Sequence, residues 1–181
     1  PKTIFKNIRK LEAGHYLLAE RKTVVTSKYW DINTDINHLQ DKPERSSGQI
    51  GFYKERLYGL MENAVQKRMV SDVPLGAFLS GGIDSSIIVG LMARNSERPV
   101  KTFSIGYKDM PLFDETRYSR EVAKFNKTEH CEFKLDYKDI LDSFPAVLET
   151  LDEPFADSSA VPTYAVSQEA KRHVKIGRAH V

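Results

Sequence analysis

A three-layer α/β/α fold around a parallel sheet is what this sequence predicts, and three observations predict it. Short apolar runs over 75–79, 100–107 and 130–135 are each followed by a segment with apolar residues at helical spacing. Strands alternating with helices call for a parallel sheet with right-handed crossovers. The chain has 181 residues, 40% of them hydrophobic, enough for one sizeable core plus the edge of a second domain. A glycine pair, Gly81-Gly82, falls between the first of these strands and its helix, where a parallel sheet opens its ligand crevice.

The elements follow in order. Residues 3–30 hold three β-like runs, "TIFKNI", "HYLLAE" and "TVVTSKYW", separated by Gly14 and by Arg21-Lys22, and they predict an antiparallel meander whose end is packed by Tyr29 and Trp30. The polar text over 36–50, with Pro43 and Ser46-Ser47-Gly48, predicts a linker between domains. Leu57, Leu60, Met61, Ala64 and Val65 then mark an amphipathic helix ending near Val70. After the strand Leu75–Leu79, a largely buried helix carries Ile87, Ile88, Val89, Leu91 and Met92. "VKTFSIGY" is a second buried strand, and a helix from about 115 to 126 shows Tyr118, Val122 and Phe125 on one face. "HCEFKL" is the third strand. Asp136 and Asp139 sit as N-cap and N3 of the next helix, a capping-box arrangement. Pro145 suits the first turn of one more helix, and a last helix is expected over about 162–173.

Charge and cysteine usage narrow the function classes. The net charge of +2 is too near neutral to suggest a nucleic-acid or membrane partner. No run approaches the ~18 apolar residues of a membrane span, and no secretory signal is visible. Cys131 is the single cysteine, so no internal disulfide can form; the cytoplasm is the expected setting. There is no internal repeat and no low-complexity tract.

The stretch Ser80-Gly81-Gly82-Ile83-Asp84-Ser85-Ser86 carries the chemistry. Two glycines can take positive φ and leave no Cβ in the way, so successive N–H groups can converge on an anion. The helix that follows adds free N–H donors and the positive end of its dipole. Asp84 would repel a phosphate directly, but a Mg²⁺ shared between carboxylate and phosphates removes the conflict. No Gly-Lys-Ser/Thr follows, so this is not a Walker A loop. The bland alternative is a Gly-Gly turn with Asp84 and Ser85 as caps, and from these residues alone both readings stand.

"SGGIDSS" after a short strand resembles the pyrophosphate loop of the N-type ATP pyrophosphatases (the PP-loop, or adenine nucleotide alpha hydrolase-like, fold), and "VPLGAFLSGGIDSS" is similar to their asparagine synthetase branch. "FSIGY" with "DETRYSREVAKF", "TEH" leading into a strand, and "LDEPFADSSAVPTY" match that branch in the same order. The opening "FKNIRKLEAGHYL…YWD" resembles the last strands of the glutamine amidotransferase domain that precedes the synthetase, so the resemblance spans roughly residues 3–175. It implies the following domains: 1–35 from the amidotransferase, 36–50 as linker, and 51–175 as the beginning of the synthetase domain.

The chemistry it implies uses ATP and Mg²⁺. A carboxylate, that of aspartate or another carboxylic acid, attacks the α-phosphate and releases pyrophosphate; ammonia drawn from glutamine in the preceding domain then displaces AMP. Carried over by position, Ser80, Gly81, Gly82, Ser85 and Ser86 would hold the pyrophosphate and Asp84 the metal. Leu79 and Ile105 would contact the nucleoside, while also fitting as buried strand residues. Asp152, Glu153, Asp157 and Ser158 are candidates for the acceptor pocket, against the plainer reading of a helix end at Pro154 and a cap on the next helix. A β-lactam synthetase-like ligase and a non-catalytic nucleotide-binding module are the competing readings, and the resemblance allows a homodimer of the full-length protein.

Several residues are set aside. Asp114 and Glu115 are expected to start a helix. Cys131, in an apolar strand, is expected in the core and not as the amidotransferase nucleophile, which in the family is an N-terminal cysteine. His15, His38, His130 and His173 lack metal-ligand spacing and are expected at surfaces or edges. Past Lys175 the family pattern should reach a second Ser-Gly-acid-Gly loop, but the text reads "IGRAHV". Residues 176–181 are therefore expected not to be native, and the 181 residues alone are expected to form no asparagine from aspartate, ammonia and Mg-ATP.

Overall fold

The computed structural model describes residues 2–32, 47–154 and 156–178. Contacts divide the chain into two units, 1–54 and 55–181.

In the first unit, β1 (His15–Glu20) and β2 (Thr23–Lys28) form an antiparallel hairpin in which Glu20 faces Thr23 across the turn. Arg21 takes a left-handed φ of 48° there. The expected third strand, "TIFKNI", does not form. The Thr3 hydroxyl donates to Ile8 O at 2.8 Å, and Asn7 turns left-handed at φ 66°, so the run closes into a local loop with one bridge between Lys2 and Arg9. Local side-chain bonding has outcompeted the strand. Gly14 sits at φ 68° with its carbonyl accepting from the N–H groups of Tyr29 (2.8 Å) and Trp30 (3.2 Å), so backbone closes the hairpin while both aromatic rings stay exposed.

Of the expected linker, residues 36–46 lie outside the described residues, as do 33–35 before it. Helix α1 begins at Ser47 and runs to Met69, earlier than the expected start after residue 50. Serine is a favoured residue at a helix entry, so the cluster that reads as linker also fits a helix start. Its packed residues are Val65, with Met61 and Met69 beside it, whereas Leu57 and Leu60 are exposed.

The second unit is built on a parallel sheet of order β5-β4-β3-β6, from β3 (Leu75–Phe78), β4 (Lys101–Tyr107), β5 (Glu129–Leu135) and β6 (Ile176–Arg178). Phe78 pairs with Phe103 and Ile105 with Phe133, while Leu75–Ala77 pair with Ile176–Arg178. The first three residues of the tail 176–181 thus extend the sheet, and 179–181 lie outside the described residues. Helices α2 (Ile83–Arg94), α3 (Thr116–Phe125), α4 (Tyr137–Thr150) and α5 (Ala160–Ala170) cover it, giving the expected α/β class with a parallel sheet.

Each face of the sheet has its own core. Ala77 and Leu79 pack with Val89, Leu91, Met92 and Ala123 on one side; Phe103, Val166, Ala170 and Val174 pack on the other. Cys131 packs, half-buried, against the second core as expected. The Asp136–Asp139 capping box forms with both reciprocal bonds, at 2.9 and 3.0 Å. Pro145 does not open a new helix; it lies inside α4. The loss there is the one N–H that proline lacks.

Helix α3 differs most from expectation. Of Tyr118, Val122 and Phe125, read as its apolar face, Val122 packs against the core but Tyr118 and Phe125 are 59% and 86% exposed. The buried residues are Thr116, Ser119 and Ala123, at i, i+3 and i+7. Small side chains let this helix lie close on β4, whose facing residues Thr102 and Ser104 are buried and polar.

Candidate functional site

The loop between β3 and α2 is shaped from within. Gly81 has φ 84°, the left-handed region that other residues rarely occupy. Gly82 is extended, at φ −68° and ψ 164°, and stands at the N-cap of α2 with no side-chain capping bond. Its N–H donates to Ser80 Oγ at 3.2 Å, and Ser80 Oγ meets Ser85 Oγ at 2.9 Å. The Ser85 and Ser86 hydroxyls both donate back to Gly82 O, at 3.2 and 2.6 Å. The three serines therefore brace the loop, and Ser85 is fully buried in doing so.

Those braces leave the backbone donors free. The first helical bond of α2 runs from Ser86 N–H to Gly82 O at 3.0 Å. The N–H groups of Ile83, Asp84 and Ser85 precede that ladder, at the positive end of a 12-residue helix. An anion lodged there gains several N–H donors at once. The Asp84 carboxylate, in the first turn, is exposed and free to meet a cation. These residues fit a Mg-pyrophosphate group: donors for the phosphates, and one hard oxygen donor for the metal. Among the described residues no cluster of three metal-ligating side chains occurs.

Beside the loop, at the C-terminal ends of β3 and β4, lies a cleft of about 780 Å³. Leu79, Ser80, Ile105 and Ser158 line it, as do Tyr107 and Glu115. That volume suits a nucleotide-sized ligand. Burial raises the Tyr107 hydroxyl's pKa, and the Glu115 carboxylate adds to the rise. Four sequence-named residues thus meet in one cleft. Asp152 and Glu153 stand outside its lining, on the connection before α5. Asp157 instead accepts the Ser159 N–H at 2.8 Å, which holds its carboxyl below the ordinary range.

Other residues fall into place around the site. Asp114 accepts from Thr116 N–H at 3.0 Å and from Thr116 Oγ1 at 2.6 Å, so it opens α3 as expected. These bonds, with Lys134 nearby, lower its pKa. Glu115 is the N-cap but makes no capping bond through its side chain. His130, on edge strand β5, is more enclosed than expected: Thr102 Oγ1 meets its Nδ1 at 2.9 Å and Ser104 Oγ its Nε2 at 3.2 Å. Burial lowers its pKa. His173 packs by the Phe103 and Phe133 rings, at 5.8 and 6.1 Å between centroids. His15 bonds Ala13 O through Nδ1, and His38 lies outside the described residues.

What sequence reasoning missed is the underside of the site, Gly106, Asp114, Thr116 and Ser119. Gly106, next to last in "FSIGY", was the available signal, since a glycine inside a strand marks a close approach by something else.

Known proteins resemble this chain in sequence. The asparagine synthase family model matches residues 56–177. A putative glutamine-hydrolysing asparagine synthetase of Methanocaldococcus jannaschii is 37% identical, over 97% of the chain and 33% of the relative. Glutamine-hydrolysing asparagine synthetase 1 of Bacillus subtilis is 30% identical, over 97% of the chain and 26% of the relative. Among solved structures, an NH3-dependent NAD synthetase from Campylobacter jejuni aligns at a TM-score of 0.41 and 16% identity, over 65% of this chain and 49% of that one. The chain spans a third or less of the length of the relatives named here. With the family model matched from α1 through the start of β6, the chain belongs to the asparagine synthase family.

Proposed function

We propose that this protein is an ATP-dependent asparagine synthetase in which the β3–α2 loop seats the pyrophosphate of ATP. The observation that carries the reading is the uncapped N-terminus of α2 behind left-handed Gly81, opening beside the cleft lined by Leu79 and Ile105. Aspartate's side-chain carboxylate attacks the α-phosphorus, the bond to the bridging oxygen breaks, and pyrophosphate leaves. Ammonia from glutamine then attacks the acyl carbon of β-aspartyl-AMP and AMP departs with the bonding pair, giving asparagine.

The chain's part in this is positioning and charge. Ser80, Gly81, Gly82, Ser85 and Ser86 hold the β- and γ-phosphates, the serine hydroxyls exchanging their bonds within the loop for phosphate oxygens. Asp84 would hold Mg²⁺, which neutralises charge on the leaving group. Leu79 and Ile105 flank the nucleoside, and Ser158, on the cleft wall, faces the acceptor. The hairpin, with residues 1–35, is assigned to the end of an amidotransferase domain that supplies the ammonia. The 181 residues by themselves would hold nucleotide without completing the reaction.

The test is aspartate-dependent pyrophosphate release by the full-length gene product with Mg-ATP, alongside asparagine formation. The expected result is both products, with Asp84→Asn lowering the rate by roughly 10²–10³-fold. Pyrophosphate released equally without any acceptor acid, or no binding of Mg-ATP, would overturn the reading.

A further inference from the structure

Helix α3 is seated on two glycines that belong to different parts of the site. A Cβ at Gly81, in the loop, would lie 2.6 Å from Ser119 N and 2.6 Å from Tyr118 Cβ. A Cβ at Gly106, near the end of β4, would lie 2.7 Å from Asp114 Oδ1 and 2.7 Å from Thr116 Cγ2. One short helix therefore touches β4 with its entry and the phosphate loop with the end of its first turn. The loop contact is largely backbone against backbone and cannot give without moving the helix.

What fixes the helix is Asp114. Its Oδ1 takes two hydrogen bonds from Thr116, which is itself fully buried. Its Oδ2 lies 3.6 Å from Lys134 Nζ on β5. Four residues on, Arg120 donates to Thr116 Oγ1 at 3.3 Å and pairs through Nε with Glu132 of β5 at 2.9 Å. Asp114 thus ties the first turn of α3 to the helix's own backbone and to the edge strand. Tyr118 and Ser119 complete that same first turn, so a tilt at the helix entry moves them with it.

We propose that Asp114 is a positioning residue for the phosphate loop. By holding the entry of α3 over Gly106, it sets where Tyr118 and Ser119 meet Gly81, and so where the loop's N–H groups converge. This rests on the reading of the loop as the Mg-ATP pyrophosphate seat. Displacements well under an ångström at such a seat are costly, since misplacement by about 1 Å can cost 10²-fold.

The experiment measures Mg-ATP dissociation constants and melting temperatures on the full-length gene product. Asp114→Ala should weaken Mg-ATP roughly tenfold in protein that remains folded, and Asp114→Asn, which keeps an Oδ1 acceptor for Thr116, should recover most of that loss. Gly106→Ala presses on Asp114 from the other side and should weaken binding similarly. Combined with Asp114→Ala it should add little, as expected for two changes acting through one contact. A lowered melting temperature with unchanged Mg-ATP affinity in Asp114→Ala would make the residue purely structural and overturn the proposal. Additive losses in the double variant would do the same. Should Asp114→Ala not fold, the affinity of Gly106→Ala alone decides, unchanged binding overturning the proposal. A wild-type protein that binds no Mg-ATP would instead overturn the assignment of the loop, and this inference with it.

Discussion

Strand β4 presents two faces built from opposite materials. Phe103 and Ile105 point into an apolar core with Phe133, Val166 and Ala170. Thr102, Ser104 and Gly106 point the other way, beneath the small and polar face of α3. The apolar face is held by volume and excluded water, which tolerate substitution by residues of similar size. The polar face is held by hydrogen bonds and close approach, which tolerate almost none. The loop's glycine rests against α3, so the exacting face supports the loop and the forgiving one supports the fold.

The largest break in that comparison comes from the apolar side. Phe103 is fully buried, with its ring stacked 6.3 Å from Phe133. Phe103→Ala should cost about 3–5 kcal/mol of stability by urea denaturation. A loss below about 1 kcal/mol would show that this face contributes little to the fold. On the polar side Thr102 is fully buried, and its hydroxyl meets Thr128 Oγ1 at 2.8 Å and His130 Nδ1 at 2.9 Å. Thr102→Val preserves shape but strips both groups of that partner, at a cost of about 1–3 kcal/mol. An equally stable Thr102→Val protein would mean that solvent replaces the hydroxyl, and the contrast between faces would fail.

The apolar face was legible in the sequence and the polar face was not. Phe103, Ile105 and Phe133 announce themselves by hydrophobicity at strand spacing. The loop was legible too, because Gly81, Gly82 and Asp84 are unusual together. The same habit of reading apolar residues as inward misled at α3, where Tyr118 and Phe125 turn outward and Thr116 and Ser119 turn in. Small hydroxylated side chains at i and i+3 carry no hydropathy signal, and their burial depends on partners such as Asp114 and Arg120 that only the fold brings near. "TIFKNI" failed for a related reason, since the Thr3 hydroxyl's bond to Ile8 O is invisible to a β-propensity count.

The smallest expected effect separates the faces by pH. His130 is held below its ordinary pKa by burial; Arg120 pushes it the same way, and Glu132 pushes against both. The unfolded chain therefore takes up this proton first as the pH falls past about 6.5, and stability declines from there until the folded imidazole titrates as well. Asp114 is also depressed, but for a carboxylate this means a contribution that is complete above about pH 4–5 and lost only below it. Both groups belong to the polar face, so wild-type protein should lose melting temperature in two stages, a shallow one first. His130→Gln keeps hydrogen-bonding groups between Thr102 and Ser104 without a titrating ring, and should flatten the first stage while leaving the second. Melting curves for the two proteins that run parallel from pH 8 to about pH 5 would remove His130 from the account.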